Sequence, residues 1–225
     1  NSSLTIIPER IGINGDSIAA SRSALAIGHA ADNGAEIILM GYGGTEPSLA
    51  EERALSYAAE KGCLLIASAG NEDSNSVHYP SDNFNVISVG SIAPSDGLSY
   101  FSNYGIYTEF VAPGEDIISA CPDNSYCKGR GTSFAAAEVT GIASLIHEAY
   151  PGLSLSEIRQ VMQTSATDLG RCGRDIYYGY GLVTLPKAMQ AAEDLTLQKT
   201  LEAFSVGNKT REMRRDGGLK NTTLH

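Results

Sequence analysis

No run of 18 or more apolar residues occurs in the 225-residue chain, so its sequence contains no membrane-spanning helix. Basic residues are in the minority, 16 against 26 acidic ones, and the formal net charge of −10 repels phosphate backbones. No nucleic-acid partner is expected. Histidine is scarce, with 4 in the chain, and the 4 cysteines include no C-x-x-C pair, so no zinc pattern is present and no metal ligand is assigned. The chain opens at Asn1 with neither Met nor a charged-then-apolar leader. A signal peptide is therefore expected to have been removed or to lie outside this sequence. Gly41, Gly43 and Gly44 follow an apolar run, but a dinucleotide loop wants a third glycine where Glu46 stands, and an acid there repels pyrophosphate. The segment Gly131-Thr132-Ser133-Phe134-Ala135 likewise misses the nucleophile elbow of hydrolases, because its fifth position is Ala135.

The chain is long enough to bury a sizeable core as one large domain, or as a domain with a tail. Its 42% hydrophobic content is ordinary, and 24 glycines make it rich in tight turns. The most informative stretch runs from Gly131 to Ile146. Phe134, Ala137, Gly141, Leu145 and Glu148 fall three or four apart, and Ile142 and Ile146 widen the apolar face. This spacing predicts a helix buried on most sides, with Thr132 and Ser133 at its N-cap. Free N–H groups and the positive end of the helix dipole would then surround the Ser133 hydroxyl and favour negative charge there. A capping serine with no further role is the plainer reading.

Elsewhere strands alternate with helices. Leu4-Thr5-Ile6-Ile7-Pro8 reads as a strand, residues 16–32 as a helix with Ile18, Leu25, Ala26 and Ala30 inward, and residues 36–40 as a buried strand. A second helix spans about 48–61, and Cys63-Leu64-Leu65-Ile66-Ala67 is another buried strand that ends in Ser68-Ala69-Gly70-Asn71. Strands follow at 85–91, 107–112 and 116–120, with turns at Ser95-Asp96-Gly97, Asn103-Tyr104-Gly105 and Pro113-Gly114 between them. Ser154 and Glu157 have capping-box spacing at the head of a helix to about Ala166, and a last helix runs from about Pro186 to Thr200. This order implies βαβ units: an α/β fold of three layers, a mostly parallel sheet with helices on both faces. The domain is placed at 1–205, and residues 206–225, poor in apolar side chains, at a flexible tail or linker. In such sheets ligands bind beyond the carboxyl ends of the strands, where Gly41 to Gly44 and Ser68 to Asn71 lie. Cys121 and Cys127 could close a small loop as a disulfide, which would suit an oxidising compartment; free thiols are the alternative. Asn1, Asn208 and Asn221 each begin a glycosylation acceptor triplet, a weak signal.

Several of these segments, taken in order, resemble those of the subtilisin-like serine peptidases. Gly131-Thr132-Ser133-x-Ala135 running into Val139-x-Gly141 is similar to that family's serine segment, and Ala69-Gly70-Asn71 after a buried strand to its oxyanion segment. Leu39-Met40-Gly41-Tyr42-Gly43-Gly44 resembles the substrate-binding strand, and Asn85-Val86-Ile87-Ser88-Val89-Gly90 a core strand that follows. Phe101-Ser102-Asn103-Tyr104-Gly105 and Val111-Ala112-Pro113-Gly114-x-Asp116-Ile117 match further family segments. The resemblance covers residues 4–190. It implies Ser133 as a nucleophile that forms an acyl-enzyme with a peptide or protein substrate, and Asn71 as an oxyanion donor. Gly41, Tyr42, Gly43 and Gly70 would border the groove in which substrate adds as an extended strand. It also implies secretion, or passage through the secretory pathway. No cofactor is needed; structural calcium is a family trait, with no site identified here.

The family's triad runs Asp, His, Ser along the chain. Neither its Asp-bearing strand nor its His-Gly-Thr-His-like segment is present, so both are expected on an upstream segment of a parent chain. His147 is 14 residues down the central helix from Ser133, about 21 Å at helical rise, and cannot serve as the base. His29 reads as a mid-helix surface or packing residue beside Gly28, and His78 sits in a polar loop past Asn71 with no acid at a recognisable spacing. Ala137-Glu138 replaces the family's usual Pro-His pair, which a helix tolerates. The alternative to an endopeptidase is a non-catalytic domain of the same fold that binds peptides or a protein partner.

Overall fold

Residues 4–13 and 17–217 are described by the computed structural model of the chain. Two short strands, β1 (Gly12–Ile13) and β2 (Ser17–Ile18), pair antiparallel and lead into α1 (Ala20–Asp32). The helix begins later than the expected Asp16-Ser17 start because Ser17 and Ile18 are engaged in β2. Leu4-Thr5-Ile6-Ile7-Pro8 is not a strand: no ladder partner lies beside it among the described residues, and Pro8 has no N–H to give one.

The sheet is built from four runs in chain order. They are β3 (Ile37–Met40), β4 (Leu64–Ser68), β5 (Val86–Ile92) and β6 (Thr108–Pro113), parallel throughout and ordered β3-β4-β5-β6. Ile66, Ile87, Val89, Phe110 and Val111 are fully buried, as expected for strands covered on both faces. Between β3 and β4 runs α2 (Leu49–Glu60), whose Ser48 cap accepts from the Glu51 N–H. With α1 it covers one face, and Ile27, Leu55 and Ala58 pack on Ile38, Met40, Leu65 and Ala67.

After β6 comes an exposed hairpin, β7 (Ile117–Cys121) and β8 (Ser125–Gly129), closed by a disulfide between Cys121 and Cys127. The sequence reading misses β8. Its side chains are mostly exposed and carry no apolar alternation, although Pro122, Asp123 and Asn124, the last two with φ of 59° and 55°, make a three-residue loop of the kind that joins such strands. The opposite face of the sheet is covered by α3 (Thr132–Ala149), α4 (Leu155–Ser165) and α5 (Leu185–Gly217). The expected capping box at Ser154 and Glu157 is formed. Helix α5 continues well past Thr200 to Gly217, through the good helix formers Arg211, Glu212, Met213, Arg214 and Arg215. The acceptor triplets at Asn1 and Asn221 lie outside the described residues.

The core face of α3 is rotated from the expected one. Ala135, Ala136, Val139, Ile142, Ala143 and Ile146 are buried against the sheet, whereas Ala137 and Glu148 are exposed. Ala137, Gly141, Ser144 and Glu148 instead line a cavity of about 1040 Å³. Its other walls are residues 4–11, the α1 face at Ala26 and Ala30, and the outer edge of β3, which pairs with β4 alone among the described residues. In α1 the inward set is likewise shifted, to Ser23, Ile27, Ala30 and Ala31, with Leu25 exposed.

One buried ion pair ties α4 to the sheet. The Glu109 carboxylate on β6 is 4% exposed and accepts from Arg159 Nε at 2.8 Å, from Arg159 Nη2, and from Gln163 Nε2 at 2.9 Å. Removing the guanidinium leaves a buried, uncompensated carboxylate. Arg159→Leu is therefore expected to cost about 3–5 kcal/mol in urea unfolding, while Glu109→Gln with Arg159→Leu together recovers most of that loss.

Candidate active site

Three strand or helix ends meet at one place. Past the last β3–β4 pair, Met40 with Ala67, the two chains separate into Gly41–Gly44 and Ser68–Asn71, and the mouth of α3 faces the gap. The N-cap of α3 is Gly131, with φ of 141°, rather than the expected Thr132 or Ser133. A backbone in this left-handed region suits glycine, and it moves Ser133 into the first helical turn. There its backbone N–H has no intrahelical acceptor and stays free for a ligand.

The cap bonds come from outside the helix. Asn71 Oδ1 accepts from the Thr132 N–H at 2.8 Å and from the Thr132 hydroxyl at 3.0 Å, while Gly70 N donates to Thr132 Oγ1 at 3.2 Å. Because the Thr132 N–H can only donate, the carboxamide oxygen must face it. The Nδ2 group of Asn71 thus points away from Thr132, and it makes no hydrogen bond among the described residues. A Cβ on Gly131 would lie 3.7 Å from that Nδ2, which puts the free amide at the same helix mouth as Ser133. Ser133 Oγ donates to the Gly41 carbonyl at 2.9 Å, so the hydroxyl rests against the end of β3. Ser133, Asn71, Gly70 and Gly41 are thereby brought together.

The family of sequences that matches this arrangement is the Subtilase family, over residues 2–181. The chain belongs to it. Subtilisin DY of Bacillus licheniformis is 37% identical over 165 residues, covering 72% of this chain and 59% of that protein. Thermitase of Thermoactinomyces vulgaris is 35% identical over 186 residues, covering 83% of this chain and 65% of that one. The chain thus spans about three-fifths of the length of these curated subtilases. Among solved structures, a lanthipeptide protease superposes with a TM-score of 0.78 at 29% identity, over 83% of this chain and 70% of that one. The prenylagaramide maturation protease PagA gives 0.73 at 26%, over 81% and 71%. The subtilase fold places the sheet and the helices on both its faces as the sequence reading expects.

The loop that carries Asn71 is pinned by a residue not singled out from sequence. Asn103, 4% exposed, accepts at Oδ1 from the N–H groups of Glu72 and Ser74, both at 3.0 Å, and donates from Nδ2 to Glu72 Oε2 at 2.7 Å. Its own N–H donates to the Gly70 carbonyl, and Glu72 Oε2 also accepts from Asn71 N at 2.9 Å. Its signal was available in Phe101-Ser102-Asn103-Tyr104-Gly105, a segment read only for its resemblance.

Tyr42 takes a different position from its glycine neighbours. Gly41 and Gly43 are exposed, but the Tyr42 ring packs on the α1–α2 core and its hydroxyl meets Ser23 Oγ at 2.5 Å. Ser23 in turn donates to the buried Glu51 carboxylate. Burial pushes the Tyr42 phenol up to about 12, with the Ser23 hydrogen bond opposing it, so the hydroxyl stays protonated across the neutral range. Through this chain of bonds the segment that follows β3 is tethered to both helices.

No histidine or carboxylate is bonded to Ser133 Oγ among the described residues. His147 pairs with Glu36 at 2.9 Å at the far end of α3, and His29 pairs with Glu9. His78 is buried, near Ser81 and Glu72, without a bond to Ser133.

Proposed function

We propose that the protein is a subtilisin-like serine endopeptidase, of which this chain carries the nucleophile and the oxyanion site. The single observation that supports the reading is the joint placement of a hydroxyl and an unengaged carboxamide N–H₂ at the mouth of α3, with the Ser133 N–H free beside them. Ser133 Oγ would leave Gly41 O, pass its proton to an imidazole and attack a peptide carbonyl. The oxyanion would accept from Asn71 Nδ2 and Ser133 N–H before the amine departs and water releases the acyl group. Substrate would lie extended along Gly41 to Gly43, whose exposed backbone can extend the sheet by one strand. The chemistry uses no cofactor.

The imidazole and its carboxylate are assigned to an upstream segment of the parent chain. Supporting this, the outer edge of β3 is unpaired among the described residues and opens on the cavity beneath residues 4–11, a place for a further strand. Exposed backbone of that kind seeks a partner. Residues 1–205 would form this part of the peptidase domain, with 206–225 as a tail or linker beyond it. An extracellular or secretory-pathway location is supported by the Cys121–Cys127 disulfide, since such bonds persist in oxidising compartments.

The test compares the full-length protein as encoded with residues 1–225 alone. The full-length protein should label at Ser133 with a fluorophosphonate and cleave peptide esters. Residues 1–225 alone should turn over the same esters at least about 10³-fold more slowly, because without a base only the oxyanion site and binding contribute. Full-length protein that neither labels nor cleaves would return the chain to the reading of a peptide-binding domain.

A further inference from the structure

A donor that stabilises developing charge acts only if it is already in place, and a displacement of about 1 Å can cost about 10²-fold in rate. Asn71 stands in a loop, so that precision has to be supplied from outside it. Its side chain is anchored at Oδ1 by Thr132. Its backbone is anchored on both sides. In the peptide unit before it, the Gly70 carbonyl accepts from Asn103 N at 3.0 Å, and Asn71 N donates to Glu72 Oε2 at 2.9 Å. In the unit after it, Glu72 N donates to Asn103 Oδ1 at 3.0 Å. The Glu72 carboxylate is itself gripped by Asn103 Nδ2 at 2.7 Å. Each of these backbone bonds therefore ends on Asn103 or on the carboxylate that Asn103 holds. Two planar units fixed on either side leave the Asn71 Cα–Cβ bond one direction, and with Oδ1 taken by Thr132 the Nδ2 group has one place to point.

Asn103 can serve as a fixed point because it is 4% exposed and its own segment is tied down. Asp73 N donates to the Phe101 carbonyl at 2.9 Å and Tyr104 N to the Ser74 carbonyl at 3.0 Å. These bonds do not pass through the Asn103 side chain, so its removal loosens residues 70–74 without parting them from 101–104. Room for the amide comes from Gly70, whose φ is 105°. A Cβ there would overlap Asn103 Nδ2 and lie 2.7 Å from Glu72 Oε2, so glycine is needed for space as well as for conformation.

We propose that Asn103 is a positioning residue for the oxyanion site, which acts through Glu72 and the two peptide units around Asn71 to aim the free amide at the developing charge. The proposal rests on the endopeptidase reading. Asn103 touches neither substrate nor Ser133 in this arrangement; its whole effect on the reaction passes through Asn71.

The experiment uses the full-length protein and one peptide ester, with kcat referred to the sites that label to completion with a fluorophosphonate. Asn103→Leu should lower kcat about 10- to 10²-fold with KM little changed, because the loss falls on the transition state alone. Asn103→Asp should lose as much, since it keeps the acceptor for Glu72 N and Ser74 N but sets a carboxylate against Glu72. Adding Glu72→Gln gives that carboxylate a donor again and should recover most of the loss. With Asn71→Leu already in place, Asn103→Leu should change kcat by less than about twofold, because nothing is left to position. Arg159→Leu, which weakens the fold elsewhere, should leave kcat per labelled site unchanged. Three results overturn the proposal while the peptidase reading stands: no loss in Asn103→Leu, a loss carried by KM, or a loss as large beside Asn71→Leu as without it. Failure of Glu72→Gln to rescue Asn103→Asp overturns it as well. Absence of labelling and of turnover in the wild type overturns both readings.

Discussion

Replacing Ser133 by Ala in the full-length protein is expected to abolish fluorophosphonate labelling and to lower kcat about 10⁶-fold. That magnitude is the one measured for the nucleophile of subtilisin, a member of the same family, and is carried over from it. What this geometry adds is the reason the loss should fall on kcat and spare the fold. Ser133 is half-buried, its backbone N–H needs no side-chain partner, and among the described residues its hydroxyl makes one hydrogen bond, to the Gly41 carbonyl. The Thr132–Asn71 bonds that shape the helix mouth do not pass through it. Unfolding midpoints of wild type and Ser133→Ala should therefore agree closely, and peptide binding measured without turnover should change little. A residual rate of about 10³–10⁴ over water is expected from the donors that remain. A variant that kept its labelling, or one that lost activity only through a lower melting temperature, would remove Ser133 from the chemistry.

The sheet was legible because β3 and β4 are short, nearly continuous apolar runs and β5 and β6 each carry a cluster of apolar residues between turn signals. The placement of α2 and α4 was equally plain, since Ser48, Ser154 and Glu157 state their helix starts chemically. Leu4-Thr5-Ile6-Ile7-Pro8 shows where such reasoning stops. An apolar run declares that it wants burial, but it becomes a strand only if a neighbour offers a ladder. Residues 4–11 find none among the described residues and line a cavity instead. Helix α3 carries the same lesson in another form. Its small residues recur on two adjacent faces, and periodicity alone could not say which meets the sheet; Ala137 and Gly141, read as core, face the cavity.

The site divides along similar lines. Ser133, Asn71 and the glycines were reached through the resemblance of short segments to those of a family, and without it Asn71 reads as a turn residue and Ser133 as a helix cap. Thr132 was read only as a cap and Asn103 only as part of a turn, because what they bond lies 31 to 62 residues away along the chain. A buried asparagine that satisfies three backbone groups looks, in sequence, like any turn residue. His78 read as a loop histidine without an acid. Its close approach to Gly43, and with Asn103 and Glu72 to Gly70, appears only in the fold.

The second large effect belongs to Asn71, and it separates two roles that the residue holds at once. Its Oδ1 caps α3 through the Thr132 N–H, while its Nδ2 is the free donor. Asn71→Leu removes both. Asn71→Asp keeps an acceptor for the cap, removes the donor and adds a negative charge where one must develop. If the donor matters for catalysis, both variants should lose about 10²–10³-fold in kcat, the magnitude known for an oxyanion-hole asparagine of subtilisin. Asn71→Asp should lose at least as much as Asn71→Leu, because its carboxylate repels the oxyanion. The cap predicts the opposite order in stability. Asn71→Leu should cost about 1 kcal/mol in urea unfolding, the usual worth of an N-cap, whereas Asn71→Asp should cost less, since a carboxylate is as good a partner for the α3 dipole as the amide. If kcat instead followed stability, with Asn71→Asp active and Asn71→Leu impaired, the amide would be a structural cap alone, and the oxyanion would have only the Ser133 N–H to meet it.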